Sequence, residues 1–223
     1  MKVLSLLCSI FLLAGLFLSL SSCRSAHPAY IILCAGNSLT REGYPPYLGR
    51  LLRQRGWRVK IYNYGRSGHN SGEYLNFLRE QEAYLKSLRP DFILLELGTN
   101  DVRLDGDCTS LESFEENMKE IIRIFSDFKT RRGEKARLMI ALIPPIPEGA
   151  QYPFSPESGR RVEAEINPTL LKLAKENNLP VVDHWHLFKR KPELLPDIHP
   201  EAEGYREMAR VWLEALLPYL ASK

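Results

Sequence analysis

Four short segments carry residue types that could act together on an acyl group. Gly36-Asn37-Ser38-Leu39-Thr40 follows the apolar run Tyr30 to Ala35, and Gly65-Arg66-Ser67-Gly68-His69-Asn70 follows a second apolar stretch. Gly98-Thr99-Asn100-Asp101 follows a third, and Asp197-Ile198-His199-Pro200 lies near the end of the chain. A serine hydroxyl is a weak nucleophile until an imidazole takes its proton, so Ser38 needs a base, and His199 is the candidate. Attack on an ester carbonyl puts negative charge on its oxygen, which requires fixed donors aimed at that point. The backbone N–H groups of Ser38 and Gly68 and the side-chain amide of Asn100 are the candidate donors. Glycine at 68 would let the backbone approach a substrate closely. Any one of these segments alone is weak, because turns are commonly built from Gly, Ser and Thr. Asn100 alone could be a loop-bridging amide, and Asp101 suits a loop-fixing or turn-capping role.

The elements that must position these residues alternate along the chain. Strands are expected at Tyr30–Ala35, Arg58–Tyr64, Phe92–Leu97, Leu138–Ile143 and Val181–Asp183. Helical periodicity appears over Tyr47–Arg55, Glu73–Leu88, Leu111–Phe128 and Glu201–Tyr219, and over Glu157–Asn177 with an interruption at Pro168. Phe92–Leu97 is nearly all apolar, as a central parallel strand buried on both faces should be. Such alternation argues for an α/β fold, a parallel sheet of five strands covered on both faces. Ligands bind at the carboxyl ends of the strands in sheets of this kind. Ser38, Gly68 and Asn100 follow strands one, two and three, and His199 follows the segment after strand five, so the four converge on one sheet edge.

In order and spacing, the four segments resemble the blocks of the SGNH (GDSL-like) hydrolase family over the whole chain from about residue 30. Gly36-Asn37-Ser38-Leu39-Thr40 is similar to the nucleophile block, with Asn where Asp is commoner. Gly68 matches the glycine block, Gly98-Thr99-Asn100-Asp101 the Gly-x-Asn-Asp block, and Asp197-Ile198-His199-Pro200 the last block. The resemblance implies a three-layer, flavodoxin-like sandwich and hydrolysis through an acyl-serine without metal or cofactor. It implies Ser38 and His199 as catalytic residues, with Ser38, Gly68 and Asn100 forming the oxyanion site. The last block departs from the family. The usual carboxylate stands three residues before the histidine, where this chain has Pro196, and Asp197 stands two before. In an extended segment i and i−2 share a face, so Asp197 could still reach the imidazole. A backbone carbonyl, or Asp183 at the end of strand five, could serve instead.

Composition narrows the setting. The 223 residues suffice for one domain with a full core. The chain has 30 basic and 27 acidic side chains, and a net charge of +3 makes no electrostatic case for nucleic acid. Residues 1–22 hold one lysine, no acid and a long apolar run, the plan of a secretory signal. Leu20-Ser21-Ser22-Cys23 resembles the bacterial lipobox, which implies lipidation at Cys23, a short tether over 23–29 and a hydrolase domain over 30–223. Ordinary signal cleavage or an uncleaved anchor are the alternatives. A lipid-anchored, exported protein on a bacterial membrane is expected, with outer-membrane placement open. Cys34 reads as a buried small hydrophobe, and Cys108 lies in a polar loop. An exported protein could join these two. No metal-ligand spacing, dinucleotide fingerprint or phosphate loop is present.

Asn63 to Gly68 and the closing His-Pro-Glu-Ala-Glu-Gly-Tyr look most like sialate O-acetylesterases and other carbohydrate deacetylases. That resemblance implies a short acyl group on a glycan. A lysophospholipase or thioesterase for longer chains is the alternative within the same chemistry. A glycan-binding or acyl-transferring lipoprotein is the alternative outside it. The proline- and aromatic-rich stretch from Pro144 to Ser158 is expected at the pocket rim. His69 could line the pocket, and His184 and His186 are expected to be packing or surface groups.

Overall fold

The computed structural model describes residues 30–106 and 108–220. The expected leader, Cys23 and the tether lie outside the described residues. Five strands form one wholly parallel sheet: β1 (Tyr30–Gly36), β2 (Val59–Gly65), β3 (Phe92–Glu96), β4 (Arg137–Leu142) and β5 (Val181–Asp183). Their order across the sheet is β2-β1-β3-β4-β5. The crossovers reverse direction between β1 and β3, and this order places a crevice at the carboxyl ends of that pair.

The helices are, in chain order, α1 (Pro45–Gln54), α2 (Ser71–Ser87), α3 (Leu111–Ser126), α4 (Pro156–Arg161), α5 (Asn167–Glu176), α6 (His184–Arg190) and α7 (Ala202–Leu216). Strand alternation sorts the core into two layers. Leu33, Ile93, Leu95 and Ile140 pack with Leu78 of α2, Phe114 and Ile121 of α3, and Leu170 of α5. Ile32, Leu94, Met139 and Ala141 pack with Leu48 and Leu52 of α1, Phe188 of α6, and Met208 and Trp212 of α7. Successive strand residues must serve opposite faces, and here both faces are apolar, which is why the strands read as continuous hydrophobic runs.

Local signals fix the helix ends that matter for the site. Asn70 accepts the Glu73 N–H at 2.9 Å while Glu73 accepts the Asn70 N–H at 3.0 Å, a reciprocal cap that starts α2 right after the Gly68 loop. Pro168, within the first turn of α5, lacks an N–H to continue the preceding helix. The chain accommodates it with a π-helical turn over Val162–Ile166 that joins α4 to α5. The interruption expected at Pro168 therefore falls just before the proline. The short helix α6 was not expected. The Asp183 side chain caps it by accepting the His186 N–H at 2.9 Å. Among the described residues, no helix is long and apolar enough to cross a membrane.

Candidate active site

Ser38 follows β1 on a tightly held turn. Asn37 Oδ1 accepts the Leu39 N–H at 3.0 Å, and residues Leu39–Gly43 continue as a π-helical turn into α1. Asn63 on β2 clamps this turn, its amide donating to the Thr40 carbonyl at 3.0 Å and the Arg41 carbonyl at 2.9 Å. Gly36 makes the approach possible. Its φ is +155°, and a Cβ there would lie 2.1 Å from the Glu96 carbonyl oxygen.

The structure brings His199 to Ser38 across 161 residues of sequence, with Nε2 2.7 Å from Oγ. That distance is a hydrogen bond of the kind a general base needs to take the serine proton. Gly68 and Asn100 line the same cavity, as the two flanking loops require. Gly68 adopts φ +82°, a conformation that favours glycine. A Cβ there would meet no other atom within 4 Å, so this glycine serves backbone shape rather than tight packing. The Asn100 side chain is almost wholly buried, and its amide donates to the His69 carbonyl at 2.9 Å. One N–H is thereby used, which fixes the amide orientation and leaves the second available to a ligand.

Asp101 fixes this loop from behind. It is fully buried, and its carboxylate oxygens accept the Ser71 N–H at 3.0 Å and the Ser71 hydroxyl at 2.6 Å. Asn117 of α3 donates to that hydroxyl at 3.0 Å, so the Asn100 loop is tied to α2 and α3 together. Burial pushes the Asp101 carboxyl upward, and the bonds from Ser71 pull it back toward the charged form.

Asp197 is the correction. Its side chain is exposed and makes no hydrogen bond or ion pair with His199. The reach expected for Asp197 assumed an extended segment, whereas residues 196–199 are bent, so positions i and i−2 no longer share a face. Asp183 does not replace it, since its second oxygen binds His186 Nδ1 at 2.7 Å. The described residues therefore present a Ser38–His199 dyad.

The cavity over the dyad has a volume of about 230 Å³. One wall is polar, where the Ser67 hydroxyl donates to Glu42 at 2.7 Å. The other is apolar, formed by Pro153, Phe154 and Ile198. Arg103 also lines it and pairs with Asp105 through Nε at 3.0 Å. The rim expected from Pro144 to Ser158 thus enters through Pro153 and Phe154, while Tyr152 points out, 74% exposed. Glu42, Ser67, Arg103 and Ile198 were not singled out in the sequence. Their nearness to Ser38, Gly68, Asn100 and His199 was the available signal.

A larger cavity, about 620 Å³, opens at the opposite edge of the sheet beside Tyr30, Asp91, Arg131, Lys135 and Tyr219. It contains none of the four converging residues, and chemistry is better located by convergent groups than by size. His69 lines the neighbouring groove with Arg66 and Phe77 rather than the cavity over Ser38. His184 is fully buried edge-on against Trp212, with burial pushing its pKa down to about 3, and His186 is exposed. Cys34 and Cys108 are both free, the first buried and the second exposed.

Residues 34–207 match the model of the GDSL-like lipase/acylhydrolase family. The chain is 25% identical over 212 residues to an acetylxylan esterase of Xylanibacter ruminicola, covering 83% of this chain and 42% of the relative. It is 27% identical over 143 residues to a multidomain esterase of Ruminococcus flavefaciens, covering 61% of this chain and 17% of the relative. The chain thus spans less than half the length of either curated relative. A lipase/acylhydrolase from Enterococcus faecalis shares the fold, with a TM-score of 0.71 at 22% identity over 87% of this chain and 98% of that one.

Proposed function

From the premise that the chain belongs to the GDSL-like lipase/acylhydrolase family, we propose that it is a serine esterase removing short acyl groups, acetyl above all, from carbohydrate. The observation that carries this reading is the 2.7 Å contact between Ser38 Oγ and His199 Nε2 in a cavity shared with Gly68 and Asn100. His199 takes the Ser38 proton as Oγ bonds to the ester carbonyl carbon. The charge that develops on the carbonyl oxygen is met by the Ser38 and Gly68 N–H groups and the second Asn100 N–H, and one such donor supplies ~3 kcal/mol. The carbon–alkoxy bond then breaks, and His199 returns the proton to the leaving alcohol. Water, deprotonated by His199, next attacks the acyl carbon; the bond to Ser38 Oγ breaks, His199 returns the proton to Oγ, and the acid leaves.

Two features support the choice of substrate. The cavity of about 230 Å³ is smaller than the ~300 Å³ at which sites for drug-sized ligands begin. A curated relative over 83% of this chain is an acetylxylan esterase. The polar wall of Glu42 and Ser67 suits sugar hydroxyls, and the apolar wall suits an acyl methyl. The leader and Cys23 would place the domain on the outer side of a bacterial membrane, held by acyl chains that each contribute ~0.8 kcal/mol per buried methylene. Palmitate labelling lost in Cys23→Ser checks that part.

The rate of p-nitrophenyl ester hydrolysis against acyl length, with Ser38→Ala alongside, tests the reaction. A Ser38-dependent maximum at acetate is expected. A maximum at long chains would move the substrate to lipids, and activity independent of Ser38 would overturn the mechanism.

A further inference from the structure

We propose that Glu96 is a positioning residue for Ser38, its carboxyl seated beneath the nucleophile turn and holding that turn through the Thr40 hydroxyl. The proposal rests on the serine-esterase reading and adds to it a side chain outside the cavity. β3 is apolar from Phe92 to Leu95, and alternation places Glu96 on the face of Phe92 and Leu94, toward the core under α1 and α7. There it is fully buried. The sheet register sets Gly36 beside Glu96, and a Cβ at Gly36 would also lie 2.5 Å from Thr40 Oγ1. The end of β1, the nucleophile turn and Glu96 are therefore in close packing with no room for a methyl group.

Thr40 Oγ1 donates to Glu96 Oε2 at 3.4 Å, and Oε1 has no hydrogen-bond partner. The remaining titratable neighbours of this acid are Tyr44 from the nucleophile turn and Tyr205 from α7, with Cys34 of β1 beside Tyr44. Burial holds both phenols above their ordinary range and pushes the Cys34 thiol up to about 12, so all three are neutral at working pH. Among the described residues no cation pairs with Glu96, and burial pushes its carboxyl up to about 8. A leucine would fill this place without an unpartnered oxygen, and buried polar groups left unsatisfied cost stability. Retaining an acid under the nucleophile makes sense if its hydrogen bond sets the turn. Below its pKa the neutral acid tolerates the apolar surroundings. Above it the carboxylate draws in water or pulls the donating Thr40 hydroxyl closer, and shifts the turn that carries Ser38.

The test is kcat and KM for p-nitrophenyl acetate from about pH 6 to about pH 10 in wild type, Glu96→Gln, Glu96→Leu and Thr40→Val. A displaced nucleophile affects the chemical step, so Glu96→Leu and Thr40→Val should lower kcat about tenfold with KM little changed. Glu96→Gln, the neutral isostere, should recover most of the loss in Glu96→Leu. Wild-type kcat should fall above about pH 8, and Glu96→Gln should lack that fall. Wild-type kcat and pH profile in Glu96→Gln and Thr40→Val would overturn the proposal, as would a loss confined to KM. Should Glu96→Leu not fold, Glu96→Gln and Thr40→Val decide between the same outcomes. Ser38→Ala is measured in parallel. If it is inactive while the other variants match wild type, only the positioning role fails, whereas an active Ser38→Ala removes the esterase reading and this proposal with it.

Discussion

Glu96 ends β3 and Asp101 stands in the turn that follows it, both carboxyls fully buried, yet their hydrogen-bond surroundings differ. Asp101 accepts bonds from the Ser71 backbone and hydroxyl, the second of 2.6 Å, and these favour its charged form. Glu96 receives one long bond from Thr40 and keeps an oxygen without a partner, so burial is opposed by that single bond. Burial raises both carboxyls, and the donors around each differ in how much they oppose it. Each acid underlies a different half of the site. Glu96 lies under the turn that carries the nucleophile, and Asp101 under the loop that carries the Asn100 donor. In the proposed reaction one half makes the bond and the other stabilises the charge, so the two should respond to mutation differently.

Removing the nucleophile gives the largest effect. Ser38→Ala should lower kcat by ~10⁴-fold or more, since a Ser–His unit fails as a whole when one member is lost. His199→Ala should match it, and the double variant should be no worse than either single one. On the donor half, Asn100→Ala should cost ~10²-fold in kcat, the usual loss for one oxyanion donor among several. KM should move little, because that donor acts on charge present only in the transition state. Steady-state kinetics on one acetyl ester checks all four variants. A loss in Asn100→Ala as deep as in Ser38→Ala would collapse the distinction between the halves.

Asp101→Ala sharpens the comparison through stability. It strips Ser71 of its buried acceptor and frees the loop from α2 and α3, which should cost ~3 kcal/mol. For a domain of this size that corresponds to a Tm lower by ~6–12 °C, read by thermal denaturation. Glu96→Gln removes no strong hydrogen bond and should raise Tm relative to wild type increasingly as pH climbs from the ordinary carboxylate range to about 8, because the folded wild-type acid holds a proton that the unfolded one has released. Equal losses of Tm in the two variants would show that both acids are structural latches of one kind.

The frame of this molecule was legible in the sequence because it follows from periodicity. Five apolar runs became five parallel strands within a residue or two, and Ser38, Gly68, Asn100 and His199 reached one edge because each follows an element whose direction is fixed by that topology. What escaped depended on local geometry or on a single side chain against its pattern. The seven residues of α6 are too few for helical periodicity, and spacing alone does not tell Asp183 as its cap from Asp183 as a partner for the base. The Asn70–Glu73 cap is written in the sequence, in the segment that also carries Gly68 and Gly72. Glu96 is the one acid in the apolar strand β3, and periodicity says nothing about the partners of a single side chain.

Asp197 shows the limit most directly, and its variant should have the smallest effect. Spacing places it two residues before His199, and only the bend over 196–199 turns it out to solvent. A carboxylate that orients the base through a hydrogen bond contributes heavily, and its loss in other serine hydrolases costs ~10⁴-fold in kcat. An exposed carboxylate that makes no bond to the imidazole can act only through a screened field, worth less than ~1 kcal/mol. Asp197→Ala should therefore keep kcat within about fivefold of wild type, with any residual effect shrinking as salt is added. A salt-independent loss approaching that of His199→Ala would mean that the bend closes in the working enzyme and completes a triad. The nucleophile half would then hold three residues, and the dyad would describe only its resting arrangement.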